Sequence, residues 1–380
     1  MKEKIKKLSP LLGATGALVT MITLLIIFSC LKSNPDIAEK WSEVFGSFYF
    51  YMVGPVFGWL PFSMTELFFL IVIIFTIVSI VKMIIDFVKK NPVKAISRIL
   101  AIINIVVGTI LTYTISCEFA YNRAPVDLPY YSQEVDNSEF KDIYNYFADD
   151  LNYCISQLEF DENGDLINTP NFDETGELVE EAYEFITSDY FYKTTVHVKP
   201  MMSSILYREF QITGVTFAPF GEPNINTLST KLELPFVMAH ELAHTKGTMR
   251  EDEANQVAFY VCLNSDHYYL RFSAYALYFY QLSSIVTSSY ISQEEIDQLH
   301  PVNSKYNSAL RFAKKYWKEH DLLGDIAEWF NNLYIQSSGV PEGTSSYQGG
   351  TEIIVDPVTL KLHPNKYQKL FFENYYREAI

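Results

Sequence analysis

The chain has 380 residues, of which 49% are hydrophobic and 16% aromatic, and its formal net charge at pH 7 is −16. This length and composition allow a membrane region and one soluble domain, each large enough to bury a core. Residues 1–117 contain 11 Lys and Arg against 6 Asp and Glu, net +5, and residues 118–380 contain 18 against 39, net −21. So acidic a domain excludes nucleic-acid binding through phosphate contacts, which require a basic surface.

The N-terminal region predicts three membrane spans. Apolar runs occupy about residues 8–31, 65–88 and 99–116, and each is long enough to cross the hydrocarbon core. The first run is long for a signal-peptide core, which favours a retained signal anchor over a cleaved signal peptide. Residues 32–64 are rich in aromatic residues and interrupted by Gly and Pro, which predicts an interfacial segment lying on the membrane.

The charges next to these runs predict an orientation. Five Lys and Arg lie between residues 82 and 98, against two between residues 32 and 64. The positive-inside rule then predicts that the N-terminus and the loop between the second and third apolar runs are cytoplasmic. With three spans, everything after Cys117 is outside. We therefore expect a multi-pass protein of the cytoplasmic membrane, with a membrane region at 1–117 and an extracytoplasmic domain at 118–380.

The acidic domain is predicted to be α+β, mainly helical with a small sheet. Alternating apolar residues predict strands at 191–200 and 212–220. Residues 266–335 are expected to be mostly helical, with a break at Pro301. His197, on the first of these strands, is expected to be a core or surface histidine, and Asp161 is expected to lie in a surface turn that binds no calcium. The Gly/Ser-rich segment 337–351 is placed to cover an active site.

Residues 234–263, LPFVMAHELAHTKGTMREDEANQVAFYVCL, contain the pattern that points to chemistry. On a helix His240 and His244 project from one face, where both imidazoles can bind one metal ion. Glu241 lies about 100° round the helix, within reach of a water on that metal. This is the H-E-x-x-H arrangement, in which the glutamate is the general base for a zinc-activated water. We therefore predict Zn²⁺ as the cofactor, two histidine ligands and Glu241 as the catalytic residue.

A second helix is expected to supply the third ligand. Gly247 marks the end of the first helix, and Thr248 and Glu251 form a T-x-x-E capping box that predicts the start of the second. At about 100° per residue, Glu251 points closest to the inner face of that helix. Glu251 is therefore the predicted ligand, and Glu253 is the alternative if the first turn is irregular. Two histidines, one carboxylate and an open position form a catalytic zinc site of the thermolysin kind.

The chain resembles a bacterial family of membrane proteins catalogued as a domain of unknown function. The resemblance rests on the segments ITGVTFAPFGEPNIN, LPFVMAHELAHTKGTMREDEAN and RFSAY between Ile212 and Tyr275, and on NNLYIQSSGVPEGTSSY near the C-terminus. Together with the N-terminal membrane helices it covers most of the chain. Members of that family are regarded as zinc metallopeptidases.

More distantly, the motif resembles that of the gluzincin membrane peptidases, which include the CAAX prenyl endopeptidases and the heat-shock membrane peptidase. That resemblance implies His240, His244 and Glu251 as ligands and Glu241 as the base. It also implies a supporting residue at Asn255, where those peptidases have an aspartate. An amide can still hydrogen-bond a ligand imidazole but lends it no charge.

The sequence thus predicts a membrane-anchored zinc-dependent endopeptidase or amidase with a zincin-like domain. It would act on a protein or peptide at the outer face of the cytoplasmic membrane, with the lipid bilayer as its other partner. Tyr347 is a candidate for hydrogen-bonding the oxyanion. The alternative is that Tyr347 is an ordinary loop residue without a catalytic role. The alternative function is a non-catalytic sensor or binding protein that retains the zinc fold. An intact Glu241 favours the enzyme, because a binding protein needs no general base.

Overall fold

The chain is mostly helical, at 67%, with small sheets. The computed structural model describes residues 2–186, 188–287, 290–352, 354–355 and 362–378. These residues form two compact units. Unit 1 comprises residues 1–124, 192–196 and 217–222, and unit 2 comprises residues 125–191, 197–216 and 223–380.

Unit 1 contains three helices that are long and apolar enough to span a membrane, over Leu11–Lys32, Met64–Val88 and Pro92–Ser116. They coincide with the three apolar runs of the sequence, and their length and composition suggest a membrane protein. Between the first two, the segment that was predicted to be interfacial is helical, and its location at the membrane stays a prediction. The helices are α1 Lys2–Lys32, α2 Pro35–Trp41, α3 Ser47–Gly58, α4 Met64–Val88 and α5 Pro92–Ser116, with a π-helical turn at Ser42–Gly46 and a 3₁₀ turn at Glu118–Asn122.

Helices α1 and α5 pack side by side in the same direction. In the middle of α5, the Asn104 side chain donates to the carbonyl of Ala14, in the first half of α1, at 3.2 Å. At their C-terminal ends, Lys32 forms a buried 2.8 Å ion pair with Glu118. Helix α4 reaches α5 through a tight turn, so it runs in the opposite direction. The C-terminal ends of α1 and α5 and the N-terminal end of α4 therefore lie at one end of the bundle, and the N-terminus of α1 and the basic turn at residues 89–91 lie at the other.

Two short later segments belong to unit 1 because they pack against α3 and α4. Tyr192 contacts Gly46, the last residue of the π-helical turn, and Val196 contacts Gly54 of α3; a Cβ on these glycines would lie 2.7 and 2.5 Å from them. The carboxylate of Glu222 accepts hydrogen bonds from the first backbone amides of α4 at 3.2 and 2.9 Å. Those amides have no partner within the helix, so a buried carboxylate at this position stabilises its N-terminus.

Unit 2 is built from helices around an aromatic core. Phe147, Phe259 and Phe371 are fully buried, with ring centroids of neighbouring pairs 4.8–4.9 Å apart. The helices are α6 Asn137–Ser156, α7 Phe172–Glu184, α8 Ser204–Glu209, α9 Leu234–Thr245, α10 Glu251–Leu263, α11 Tyr268–Tyr278, α12 Tyr280–Thr287, α13 Gln293–Ile296, α14 Ser304–Glu319, α15 Gly324–Ser337 and α16 Lys366–Glu378, with a 3₁₀ turn at Gly343–Gln348. The expected mostly helical stretch from 266 to 335 is confirmed for residues 266–287 and 290–335, and residues 288 and 289 lie outside the described residues.

The strands are short. A hairpin pairs β1 Glu159–Phe160 with β2 Leu166–Ile167, and a three-stranded sheet has the order β3-β5-β4. Here β3 is Lys199–Pro200, β4 is Gly214–Phe217 and β5 is Glu222–Ile225. Strands β3 and β5 are parallel, and β4 lies at the edge of this sheet. Two further strands, β6 Ile354–Val355 and β7 Leu362–His363, form an antiparallel pair.

The strand predictions were only partly right. The expected strand 191–200 is reduced to its last two residues, because Tyr192 and Val196 alternate to pack against α3 and not to pair in a sheet. Strand β5 was missed. All four of its residues are buried, so it shows no alternation, and it contains Pro223, which has no amide hydrogen to donate.

Candidate metal centre

Helix α9 places both histidines on one buried face. Pro235 occupies its first turn, where a missing amide hydrogen costs nothing, and Gly247 follows its end with φ +88°, a left-handed conformation that favours glycine. His240, Glu241 and His244 are all at least nine-tenths buried. Polar groups buried to this degree need partners, because an unpaired one costs several kcal/mol.

Helix α10 begins later than its sequence pattern predicts. Its first residue is Glu251, and Arg250 occupies the N-cap position without a side-chain hydrogen bond. The expected capping box is therefore wrong. Within the described part of the chain, the Thr248 hydroxyl is buried without a hydrogen-bond partner, while its carbonyl oxygen accepts from Nδ1 of His244 at 2.8 Å. Thr248 therefore orients His244 through its carbonyl oxygen and does not cap helix α10 with its hydroxyl.

The structure brings the three predicted ligands together. Nε2 of His240 lies 3.1 Å from Nε2 of His244 and 3.1 Å from Oε2 of Glu251. The remaining distance, from His244 Nε2 to the same carboxylate oxygen, is 3.5 Å. Ligand atoms of a tetrahedral zinc ion, with bonds of about 2.0–2.1 Å, lie about 3.3–3.4 Å apart. The triangle of donor atoms therefore has the size of one face of a zinc coordination tetrahedron.

The hydrogen bonds on the far side of each ring orient the lone pairs of the cluster. Nδ1 of His240 lies 2.9 Å from Oδ1 of Asn255, and Nδ1 of His244 lies 2.8 Å from the carbonyl of Thr248. Both partners are acceptors, so both Nδ1 atoms carry hydrogen in the neutral rings. Two Nε2 lone pairs and a carboxylate oxygen then face one another. Only a cation, either a metal ion or an added proton, relieves that repulsion.

Without a metal, the electrostatics of the cluster favour an ion pair. Burial alone would raise the pKa of Glu251, but the two imidazoles hold it well below its usual range. Burial would likewise lower the pKa of His244, but the Glu251 carboxylate raises it to about 9. The carboxylate is therefore ionised at neutral pH, as a metal ligand must be.

Glu241 lies beside the cluster but outside the triangle of donor atoms. Its Oε2 lies 2.7 Å from the hydroxyl of Thr216 on the edge strand β4. A Cβ on Gly214 of the same strand would lie 2.5 Å from Oε1, so the carboxylate packs directly on the strand backbone. Burial raises the pKa of Glu241, against the lowering effect of the two histidines. A raised pKa suits a group that must accept a proton and then release it.

The other two carboxylates of the first turn of α10 point elsewhere. Glu253 lies 3.7 Å from the Arg250 guanidinium, and burial raises its pKa to about 7. Asp252 packs against Gly349, whose Cβ would lie 2.7 Å from it. Helix geometry thus places Glu251 in the cluster and excludes Glu253 from it, as the facing angles predict.

Asn255 connects the cluster to the 337–351 segment. Its Oδ1 faces His240, and its Nδ2 donates to the carbonyl of Tyr347 at 3.1 Å. The Tyr347 ring is stacked on the His240 imidazole, with centroids 6.5 Å apart and planes at 23°. The phenol oxygen of Tyr347 accepts from Asn331 of α15 at 3.3 Å. The 3₁₀ turn in this segment therefore lies against the site, and the oxyanion role of Tyr347 stays a prediction.

Sequence reasoning missed Thr216 and Gly214 as site residues. Both belong to the stretch ITGVTFAPF, which was identified only as a strand. A clue was present, because a glycine inside a strand often marks close approach of another group. His197, by contrast, is an exposed histidine paired with Glu180 at 2.8 Å, as expected of a surface residue.

In its described residues the chain combines three helices long and apolar enough to span a membrane with a buried His-His-Glu cluster. Residues 41–355 match the family model described as "Protein of unknown function (DUF3810)", and the chain belongs to that family. The resemblance to a family of unknown function is therefore confirmed, and the family description names no peptidase activity. Neither a curated protein nor a solved structure matches the chain.

Proposed function

We propose that the protein is a membrane-anchored zinc-dependent peptidase, an endopeptidase or amidase with a zincin-like site. One observation carries the proposal: the Nε2 atoms of His240 and His244 and a carboxylate oxygen of Glu251 converge at 3.1–3.5 Å, with both Nδ1 atoms turned to other acceptors. A buried set of three acceptors is unfavourable unless a cation joins it.

The composition of the donor set supports zinc over other metals. Two imidazoles and one carboxylate at tetrahedral spacing suit Zn²⁺, whereas Ca²⁺ and Mg²⁺ prefer more oxygen ligands. The partners of the two Nδ1 atoms fix the tautomer and orientation that ligation requires. In the proposed enzyme, His240, His244 and Glu251 hold the metal, which when bound acidifies water and polarises the scissile carbonyl.

Glu241 is the proposed general base. It takes a proton from the attacking water and delivers it to the nitrogen of the leaving amine as the C–N bond breaks. Thr216 orients its carboxylate, and the close packing on Gly214 holds it away from the triangle of ligand atoms. Glu241 therefore acts on the reacting groups without being a ligand.

The edge position of β4 supports an extended peptide as substrate. An edge strand can pair with an added strand through main-chain hydrogen bonds. Because Thr216 of this strand contacts Glu241, a peptide bound along β4 would lie next to the proposed base. The strongly acidic composition of the chain after residue 117 favours neutral or basic peptides.

We also propose that the peptidase domain is extracytoplasmic, on the outer face of the cytoplasmic membrane. The basic turn between α4 and α5 lies at the same end of the bundle as the lysine-rich N-terminus, which fits a cytoplasmic location for both. A reporter fused after residue 130 should be active only outside the cytoplasm. Activity inside would invert the orientation.

The deciding experiment measures bound zinc and hydrolysis in the purified full-length protein. His240→Ala and His244→Ala should lose the metal, and His197→Ala, which removes an exposed histidine, should keep one zinc per chain. Glu241→Gln should keep zinc and lose hydrolysis by several orders of magnitude. Substrates are sought by comparing membrane and cell-wall proteins and peptides that accumulate in the Glu241→Gln strain with those of the wild type.

Each outcome has a separate meaning. Full zinc occupancy in both histidine variants would refute the metal site. Zinc binding with no accumulated substrate and no hydrolysis in the wild type would favour the alternative, a membrane-anchored sensor or binding protein. Wild-type rates in Glu241→Gln would refute the assignment of the base.

A further inference from the structure

The helical segment between the first two spans has an apolar outer face. Its side chains recur every three or four residues and are 50–76% exposed, so they form one stripe along the helix. The stripe, called here the outer stripe, consists of Val44, Phe48, Tyr51, Met52, Val56 and Trp59. Contiguous apolar surface of this kind marks a binding site for a protein, a ligand or a membrane.

The opposite face of the same helix is already covered within unit 1. The Tyr49 hydroxyl donates to the carbonyl of Pro219 at 2.8 Å, and the Phe57 ring lies 5.0 Å from that of Phe220. Gly54 contacts Val196 so closely that a Cβ would lie 2.5 Å from it. The helix is therefore held in one rotation, and the outer stripe faces away from the rest of its unit.

The segment does not cross the membrane. Because α1 and α5 run parallel and α4 runs antiparallel to α5, the C-terminal end of α1 and the N-terminal end of α4 lie at the same end of the bundle. The segment begins with α2 at Pro35, just after α1, and ends with α3 at Gly58, shortly before α4 begins at Met64. It therefore starts and ends at one face of the bilayer.

We propose that residues 42–59 lie in the interface of the lipid bilayer, with the outer stripe immersed in lipid. Tyr51 and Trp59 are the residue types that favour the headgroup region. Glu43 is the only charged residue between positions 42 and 59, and no Lys or Arg occurs there. Burial of the apolar stripe in lipid therefore drives binding, without an electrostatic contribution from anionic lipids. Helices of this kind insert to a depth of about 5–10 Å.

The test uses full-length protein in nanodiscs of zwitterionic lipid, with the four cysteines replaced by alanine and one spin label per variant. Labels at Phe48→Cys, Met52→Cys and Val56→Cys report the stripe. Ile77→Cys, in the middle of α4, is the control for the hydrocarbon core, and Lys315→Cys, on the exposed face of α14, is the control for water. Accessibility to oxygen and to a water-soluble nickel complex gives the depth of each label.

The three stripe labels should lie between the two controls, at about 5–10 Å below the headgroups. Replacing a third of the lipid with phosphatidylglycerol should leave these depths unchanged. Accessibility equal to that of the Lys315 label would overturn the proposal, as would a depth equal to that of the Ile77 label. Spin–spin broadening between chains would assign the stripe to a second copy instead.

A second measurement needs no cysteine replacement. The fluorescence of Trp59 is isolated as the difference between wild type and Trp59→Phe, and it is quenched with lipids brominated at known depths. Quenching should be at least about twofold stronger for bromines near the carbonyl groups than for bromines at the chain ends. Equal quenching at both depths, or none, would refute immersion at the interface. Neither measurement depends on the metal site.

Discussion

The hydroxyl of Thr216 lies 2.7 Å from Oε2 of Glu241 and 2.9 Å from the carbonyl oxygen of the same residue. A hydroxyl has a single hydrogen, so it donates to one of these two oxygens at a time or shares the hydrogen between them, and the shorter distance is to the carboxylate. This contact joins the edge strand β4 to the residue proposed as the general base, and it makes Thr216 a positioning residue.

We expect Thr216→Val to lower kcat for peptide hydrolysis about tenfold, because a misplaced base loses part of its catalytic effect. KM and zinc content should stay at wild-type values, since neither the β4 backbone nor the ligands change. Thr216→Ser keeps the hydroxyl and should retain most of the activity. An unchanged kcat in Thr216→Val, measured on the same substrate, would show that Glu241 is positioned without it.

Gly214→Ala is expected to displace the Glu241 carboxylate. The new Cβ would lie 2.5 Å from Oε1 and 2.6 Å from Cγ of Glu241, closer than non-bonded atoms allow. A shift of about 1 Å in a catalytic group costs about 100-fold in rate, and we expect a loss of that size with zinc retained. Gly58→Ala is the matched control, because within the described part of the chain its added Cβ has no atom within 4 Å apart from its sequence neighbours and the backbone of its own helix. Equal activity in both variants would contradict the packing.

The third ligand is tested by a zinc titration of two isosteric variants. Glu251→Gln should weaken zinc affinity at least about tenfold, because the carboxylate oxygen 3.1 Å from His240 is lost as a charged ligand. Glu253→Gln should change affinity little, since that carboxylate faces Arg250. The reverse order of affinities would move the ligand to Glu253.

The sequence predicted most of this cluster because helix periodicity determines which side chains share a face. His240 and His244 are four residues apart on a helix whose ends were marked in the sequence by Pro235 and Gly247. On the second helix, the angle around the helix axis was enough to choose Glu251 over Glu253 as the ligand. The error in the capping box did not alter this result. The capping box places the helix start before Glu251, whereas the helix begins at Glu251, but Glu251 and Glu253 are helical in both cases and the angle between them is the same.

What the sequence did not predict depends on packing between distant segments. Thr216 and Glu241 are in contact although they are 25 residues apart in the sequence, and Asn255 and Tyr347 are 92 residues apart. The central strand β5 was hidden because it is buried on both faces. A local pattern contains no information about which segments meet, so these contacts required the three-dimensional structure.

Asn255 is expected to support zinc binding through His240. Asn255→Ala removes the acceptor for Nδ1 of His240 and the donor to the Tyr347 carbonyl, and zinc affinity should fall about 10- to 100-fold. Asn255→Asp keeps the acceptor and adds a charge, so zinc should bind at least as tightly as in the wild type. The same variant loses the bond to Tyr347, because a carboxylate cannot donate to a carbonyl. Weaker binding in Asn255→Asp than in Asn255→Ala would show that Asn255 acts chiefly through the loop.

Removal of the metal should destabilise the protein through the same cluster. Without a cation the Nε2 atoms of His240 and His244, 3.1 Å apart, face each other and the carboxylate of Glu251. A ligand present at about 100 times its Kd stabilises the folded state by about 2.7 kcal/mol. For a domain of this size, that corresponds to a fall in Tm of about 5 °C when a chelator removes the zinc.

The matched variants separate this effect from a general effect of the chelator. His197→Ala should show the full fall in Tm, because the exposed His197 lies outside the cluster. His240→Ala should show almost none, since it has no bound metal to lose. The measurement is thermal unfolding of the detergent-solubilised full-length protein, with and without chelator, followed by re-addition of zinc. An equal fall in Tm for His240→Ala and His197→Ala would mean that the chelator acts elsewhere on the protein and that this cluster holds no stabilising metal.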